Sequence, residues 1–120
     1  MLRIYENKTI VIHRGDSGVI NVEIKDENGN RYTMQSGDRL KFTVRENANH
    51  TDAILIEAIT ADEMIVLTPD VTDIPAGKYS CDLQLNKANG DVITVFPELN
   101  RKGLEYNFRN FVVDAEVSDR

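Results

Sequence analysis

The side chains able to act as a nucleophile or a base are few and scattered. His13 and His50 are far apart in the sequence, and the one cysteine, Cys81, falls at an apolar position of an alternating run. None of the serines lies in the turn that presents a catalytic serine at the end of a strand; they are Ser17, Ser36, Ser80 and Ser118. We therefore expect a protein that is not an enzyme and that needs no cofactor.

Acidic residues in two loops offer oxygen ligands of the kind that calcium prefers. They lie at residues 62–63 and 70–73, and residues 26–30 (DENGN) superficially resemble a calcium-binding loop. In that segment, however, Gly29 is at the fourth position where an EF-hand loop has its glycine at the sixth, and no glutamate follows at the twelfth. Solvated loop acids are the simpler interpretation, and we expect no metal site.

Two further patterns favour a binding module. Arg14-Gly15-Asp16 reproduces a cell-adhesion tripeptide, although a Gly-Asp turn that opens a strand accounts for the same residues. Tyr5, Tyr32 or Tyr106 could stack on a sugar ring, but the chain has no tryptophan. A glycan-binding or adhesion β-sandwich module is therefore the alternative function.

An aromatic cluster near the end of the chain is the strongest candidate for a protein interface. It lies beside basic residues in an otherwise acidic protein and comprises Leu104, Tyr106, Phe108, Arg109 and Phe111. Strand alternation puts Tyr106 and Phe108 on one face and Phe111 on the other, so one set could be exposed to a partner. The alternative, which we favour, is that the segment 97–109 folds back and buries Tyr106 or Phe108, and isolated exposed aromatics are in any case normal on monomers.

The elements that would position these residues are strands. Apolar residues alternate with polar ones at 20–24, 39–45 and 78–86, which predicts strands with one buried and one solvated face. Less regular β-rich runs lie at 9–13, 53–59, 64–68, 91–96 and 107–117, with a short one at 30–34. Asn28-Gly29 and Asn89-Gly90 have the chemistry of two-residue hairpin turns. Strands at this spacing predict an all-β, antiparallel β-sandwich or barrel formed by a single domain over residues 1–120.

One local motif favours the sandwich. Tyr79 lies two residues before Cys81 at the start of an alternating strand, which is the arrangement of the tyrosine corner of immunoglobulin-like domains. In that motif the tyrosine enters the core and its hydroxyl bonds to the backbone upstream, so we expect Tyr79 to reach a carbonyl near Asp73. Cys81 would then be a small buried hydrophobic residue.

The overall charge limits the classes of partner. The 120 residues contain 20 acidic and 14 basic side chains, a formal net charge of −6. Nucleic acid and anionic membrane surfaces are therefore not expected partners. Because we find no apolar run of signal-peptide or membrane-span length, and because a single cysteine forms no disulfide within the chain, we expect a cytoplasmic protein.

The order of motifs from Val11 to Val117 resembles a known family. The matching segments are residues 14–17 (RGDS), 26–30 (DENGN), 37–45 (GDRLKFTVR), 65–70 (IVLTPD), 74–79 (IPAGKY), 82–85 (DLQL) and 89–95 (NGDVITV). Together they are similar to the immunoglobulin-like modules of tail and baseplate regions of phages and prophages of Gram-positive bacteria, including the N-terminal domain of baseplate upper proteins.

This resemblance implies a fold and a role. The fold is an immunoglobulin-like sandwich, and the role is that of a non-catalytic structural or assembly protein. Its expected partners are other phage tail or baseplate proteins, with a homo-oligomer as a further possibility. Such a protein would be made in the cytoplasm of a bacterial host and then incorporated into the virion tail.

Overall fold

The computed structural model describes residues 3–4, 9–25, 28–46, 53–96 and 110–115, and within these the chain forms strands and loops without a helix. The strands are β1 (Arg3–Ile4), β2 (Ile10–His13), β3 (Gly18–Asn21), β4 (Arg39–Arg45), β5 (Ile54–Thr60), β6 (Met64–Leu67), β7 (Gly77–Asn86), β8 (Val92–Phe96) and β9 (Phe111–Asp114). The predicted all-β class is confirmed.

The larger sheet has the order β1-β2-β9-β7-β4-β5, and β7 is its central strand. Along one edge β7 pairs with β4 over Ser80–Asn86. Along its other edge β7 pairs first with β9 and then with β8. β5 pairs with β4 and ends the sheet.

One pairing in this sheet differs from the antiparallel arrangement that we predicted. β2 and β9 run parallel, with Ile10 beside Phe111 and Ile12 beside Val113. Alternation within a strand tells which face is buried but not which strand lies next to it, and a parallel pair needs a long connection. Here that connection is most of the chain, so no local signal could reveal the pair.

The smaller sheet consists of β3 and β6, which pair antiparallel. Its buried residues, including Ile20 and Ile65, belong to the same hydrophobic core as the inward residues of β4 and β7. Phe42 of β4 and Phe111 of β9 meet at the centre of this core, with ring centroids 5.9 Å apart and the rings tilted by 58°. Full burial of each such side chain contributes on the order of 1.5–3 kcal/mol.

The two predicted turns form, with different consequences. Gly90 has a φ of 97°, and its N–H donates to the carbonyl of Lys87 over 2.9 Å, which closes the β7–β8 hairpin. Gly29 also has a positive φ, but among the described residues on either side of it a single bridge forms, between Lys25 and Arg31. The short strand predicted at 30–34 is therefore wrong, and the strand predicted at 20–24 instead ends at Asn21, so neither side of this turn has a strand for the other to pair with.

Candidate interaction surface

Tyr79 makes a contact of the kind that the sequence predicts. The Tyr79 side chain is buried, and its hydroxyl donates a hydrogen bond to the carbonyl of Pro75. Asp73, near which we expected the acceptor, instead accepts a hydrogen bond from Nε of Arg14 over 2.8 Å. The acceptor is therefore two residues further along the loop than Asp73, and the contact ties that loop to the start of β7.

Cys81 lies on the core face of β7, as the alternation predicts, and it is buried. Loss of hydration raises the pKa of its thiol, and the nearby negative charge of Asp82 adds to that effect. Because the thiolate is the reactive form of cysteine, this thiol is not a nucleophile near neutral pH. Cys81 belongs to the core and not to a catalytic site.

Asn110 is a residue whose role the sequence did not reveal. It is buried, and its side-chain amide bonds to both the backbone N–H and the carbonyl of Cys81. Its own backbone bonds to Tyr79 and Ile10. Asn110 therefore joins β2, β7 and β9 at one point. A lone asparagine before an alternating run is typical of a turn, so its sequence carried no signal for this role.

The structure contradicts the prediction for one of the five residues of the aromatic cluster. Phe111 is fully buried, so its assignment to a candidate interface is wrong. The physical reason is strand parity, because Phe111 and Val113 point to the same face of β9 and that face lies on the core. Leu104, Tyr106, Phe108 and Arg109 lie outside the described residues.

Asp38 anchors the loop before β4 to the β7–β8 hairpin. Its buried carboxylate accepts hydrogen bonds from the Tyr32 hydroxyl at 2.5 Å and from the backbone N–H groups of Gln35 and Ala88 at 2.9 Å each. These bonds lower the pKa of Asp38, and the bond from Tyr32 has the largest effect. The same bond raises the pKa of the Tyr32 hydroxyl.

Tyr32 therefore has a contact at its hydroxyl and another on one face of its ring. Its hydroxyl is bound to Asp38, and the ammonium group of Lys87 lies 5.1 Å from the centre of its ring. A sugar platform needs an open ring face, whereas one face of this ring lies under a cation. Tyr5 and Tyr106, the other two tyrosines considered for sugar stacking, lie outside the described residues.

The Arg14-Gly15-Asp16 tripeptide is hydrogen-bonded to the loop before β7. Besides the contact of Arg14 with Asp73, the N–H of Gly15 donates to the carbonyl of Thr72, and the hydroxyl of buried Thr72 donates to the carbonyl of Asp16 over 2.7 Å. Gly15 has a φ of 79°, a conformation that favours glycine. The tripeptide therefore has a structural part in joining two loops.

Acidic side chains of these loops make contacts within the fold. Asp70 accepts a hydrogen bond from the hydroxyl of Thr68, and Glu63 pairs with Arg31 over 2.8 Å. Among the described residues, no three histidine, cysteine or acidic side chains are grouped so that they could hold a metal ion. The two acidic loops considered as calcium ligands do not converge there.

Exposed apolar side chains are concentrated on a few strands. The large ones are Val19, Ile54, Leu55, Ile59, Met64, Val66, Val92 and Ile93. Three of the eight, Ile54, Leu55 and Ile59, belong to β5, the strand that ends the larger sheet. No described strand pairs with the outer side of β5. We call this outer side of Ile54–Thr60, with its three exposed side chains, the β5 edge.

The β5 edge carries a single ionisable side chain, Glu57. Its carboxylate lies 3.9 Å from the ammonium of Lys41, which is on the neighbouring strand β4. The charge of Glu57 is therefore balanced within the same sheet. Alternation of apolar and polar residues does not tell which strand ends a sheet, so this edge could not be predicted from it.

Comparison of the chain with protein-family models, curated proteins and solved structures found no match. Within the described residues there is no helix of the length and apolarity that crossing a membrane requires.

Proposed function

We propose that the chain is an immunoglobulin-like β-sandwich. In that fold strands C, F and G share one sheet, whereas B and E lie in the other. The larger sheet contains β4, β7 and the two strands β8 and β9 that both pair with β7, and the smaller sheet contains β3 and β6, which corresponds to this order. The buried Tyr79 with its hydroxyl on Pro75 supports the assignment, because it occupies the place of the tyrosine corner at the start of strand F.

We propose further that the protein is a non-catalytic assembly module of a phage or prophage tail, of the baseplate type, that acts through contacts with other tail proteins. The observation that carries this proposal is the β5 edge, a seven-residue strand with three exposed apolar residues and an outer side with which no described strand pairs. Such an edge binds an extended segment of another chain by continuing the sheet. The likeness of its sequence motifs to baseplate modules supports the choice of the tail.

The chemically versatile side chains among the described residues support a non-catalytic role. Cys81 is buried with a raised pKa, and the carboxylate of Asp38 is bound by three donors within the fold. Arg14 and Asp73 are paired with each other. These groups stabilise loops and the core.

The proposal is tested on particles purified from the phage or induced prophage that encodes the chain. Mass spectrometry should detect the chain in tails, and antibody labelling should place it at one end of the tail. A chain with Ile59→Lys should fold but be incorporated poorly, whereas Val92→Lys on β8 should be incorporated normally. Absence of the wild-type chain from purified tails would contradict the proposed function.

A further inference from the structure

We propose that Asn28-Gly29 is a site of spontaneous modification, at which the asparagine deamidates through a cyclic imide to aspartate and isoaspartate. The second Asn-Gly pair of the chain, Asn89-Gly90, is protected from the same reaction by the hairpin that contains it. This inference is independent of the proposed function, because it concerns the chemistry of two turns and not a partner of the protein.

The reaction at Asn28 needs only the chain itself and water. The backbone nitrogen of Gly29 attacks the side-chain amide carbon of Asn28, and a new carbon–nitrogen bond closes a five-membered ring. The bond from that carbon to the side-chain nitrogen breaks, and ammonia leaves with the proton of the glycine amide. Water then opens the ring at either carbonyl, which gives aspartate or isoaspartate. Glycine favours the attack because it has no Cβ to hinder it.

The turn at Asn28 is open to water. Asn28, Gly29 and Asn30 are all exposed. A Cβ added to Gly29, whose φ is 81°, would meet no atom of the described residues within 4 Å. The turn therefore has room for the rotation that brings the glycine nitrogen to the side-chain carbon, and water reaches the ring that forms.

The segments that flank this turn are not strands. β3 ends at Asn21, and among the described residues on either side of the turn a single bridge forms, between Lys25 and Arg31. Next to that bridge, the N–H of Tyr32 donates to the carbonyl of Ile24 over 2.8 Å. Rotation of the peptide group between Asn28 and Gly29 therefore does not require a pair of the two sheets to open.

Asn89 and Gly90 are equally exposed, but both reacting groups are held. The N–H of Gly90 donates to the carbonyl of Lys87 over 2.9 Å, and Oδ1 of Asn89 accepts from the N–H of Asp91 over 3.0 Å. The N–H of Lys87 donates to the carbonyl of Asp91 over 2.8 Å and continues the ladder between β7 and β8. Ring closure must first break the bonds of both reacting groups, so we expect Asn89 to react about tenfold or more slowly than Asn28.

The modification changes the surface and not the core. Aspartate or isoaspartate adds a negative charge beside Asp26 and Glu27 in the sequence. Isoaspartate also lengthens the backbone by one methylene group. Because the turn joins no two strands, the thermal midpoint of the modified chain should stay close to that of the unmodified chain.

The test is a time course on the purified full-length chain, kept folded at mildly alkaline pH because base removes the proton of the attacking nitrogen. Peptide mapping by mass spectrometry measures ring formation and its hydrolysis at each asparagine, and fragmentation distinguishes isoaspartate from aspartate. We expect Asn28 to be modified about tenfold or more faster than Asn89. In urea the two rates should become similar, because both are Asn-Gly pairs and the hairpin no longer protects the second.

Two matched variants identify the reacting residue. Asn28→Gln should abolish the modification in its turn, because the longer side chain would have to close a six-membered ring. Asn89→Gln should leave the rate at Asn28 unchanged. Circular dichroism and the thermal midpoint establish that each variant is folded.

Equal rates at the two asparagines of the folded chain, or a faster reaction at Asn89, would overturn the inference. So would a preference for Asn28 that persists in urea, because the fold would then not be its cause. A folded chain that stays unmodified at Asn28, under conditions in which the unfolded chain reacts there, would show that this turn is protected as well.

Discussion

The side-chain amide of Asn110 pairs with Cys81 as a peptide group of a neighbouring strand would. The N–H of Cys81 donates to Oδ1 of Asn110 over 2.7 Å, and Nδ2 of Asn110 donates to the carbonyl of Cys81 over 3.0 Å. The backbone ladder between β7 and β9 ends at the Tyr79–Phe111 pair, so the amide extends it by one more pair. The contact is buried, and water cannot replace either bond without opening the core.

Replacement of Asn110 by alanine should therefore lower the free energy of unfolding by about 2–4 kcal/mol, because two buried backbone groups lose their partners. Asn110→Asp should cost more at neutral pH, since it puts a carboxylate against the carbonyl of Cys81. Urea denaturation followed by circular dichroism measures both. Asn89→Ala, which removes an exposed turn contact to Asp91, is the control and should have a small effect. A loss below about 0.5 kcal/mol for Asn110→Ala would mean that the pairing is not important.

Tyr79→Phe removes only the hydroxyl that donates to the carbonyl of Pro75. We expect a loss of about 1–3 kcal/mol, because the acceptor is left without a partner while the ring remains packed. Tyr79→Ala should cost about 3–5 kcal/mol, since it also leaves a cavity in the core. Denaturation midpoints measured under identical conditions compare the two. An unchanged midpoint for Tyr79→Phe would show that the hydroxyl contact contributes nothing to stability.

Asp38 should make stability fall at acid pH. Its pKa is lowered from the ordinary value of 3.8, first by the bond from Tyr32 and then by those from Gln35 and Ala88. A carboxyl with a lowered pKa stabilises the fold above its ordinary pKa, and that stabilisation is lost as pH falls through the lowered value. Asp38→Asn should therefore be less stable than wild type at pH 7, with a difference that shrinks below about pH 4. A difference that is independent of pH would contradict this role of the charge.

Asp82 should have the opposite effect on the pH dependence of stability. Burial raises its pKa above the ordinary 3.8, opposed by the positive charges of Arg45 and Lys41, and one of its carboxylate oxygens is buried without a hydrogen-bond partner. A carboxyl with a raised pKa destabilises the fold while it is ionised, and this penalty is relieved as pH falls through the raised value towards 3.8. Asp82→Asn should thus stabilise the protein at pH 7 and lose that advantage at acid pH. Thermal midpoints at several pH values test it, and destabilisation at pH 7 would show that the contacts with Arg45 and Lys41 dominate.

The sequence predicted the faces of strands better than the neighbours of strands. Leu40, Phe42 and Val44 are all buried, as their alternation predicts, because strand geometry alone sends every second side chain to one face. The parallel pairing of Ile12 with Val113 joins distant parts of the chain and has no local signature.

The same distinction explains which residues of the candidate interaction surface could be predicted from the sequence. Phe111 was assigned to an interface on its aromatic type, yet its parity with Val113 already favoured the core, and the core is where it lies. Asn110 and the β5 edge were missed because their roles depend on which strands are adjacent. In sequence, a polar residue before a strand differs little from a turn residue. An apolar strand at the edge of a sheet likewise differs little from a central strand.

Amide hydrogen exchange across β5 is the most direct measurement of where the protein makes its contacts. The amides of Ile54–Thr60 that face the open side of β5 are unpaired within the described part of the chain, so they should exchange fast in dilute protein. When the chain is held in purified tails, these amides should become protected, while the amides of Val92–Phe96 keep their rates. Exchange from the outer side of β5 that stays fast in tails, with protection appearing elsewhere, would contradict the proposed function.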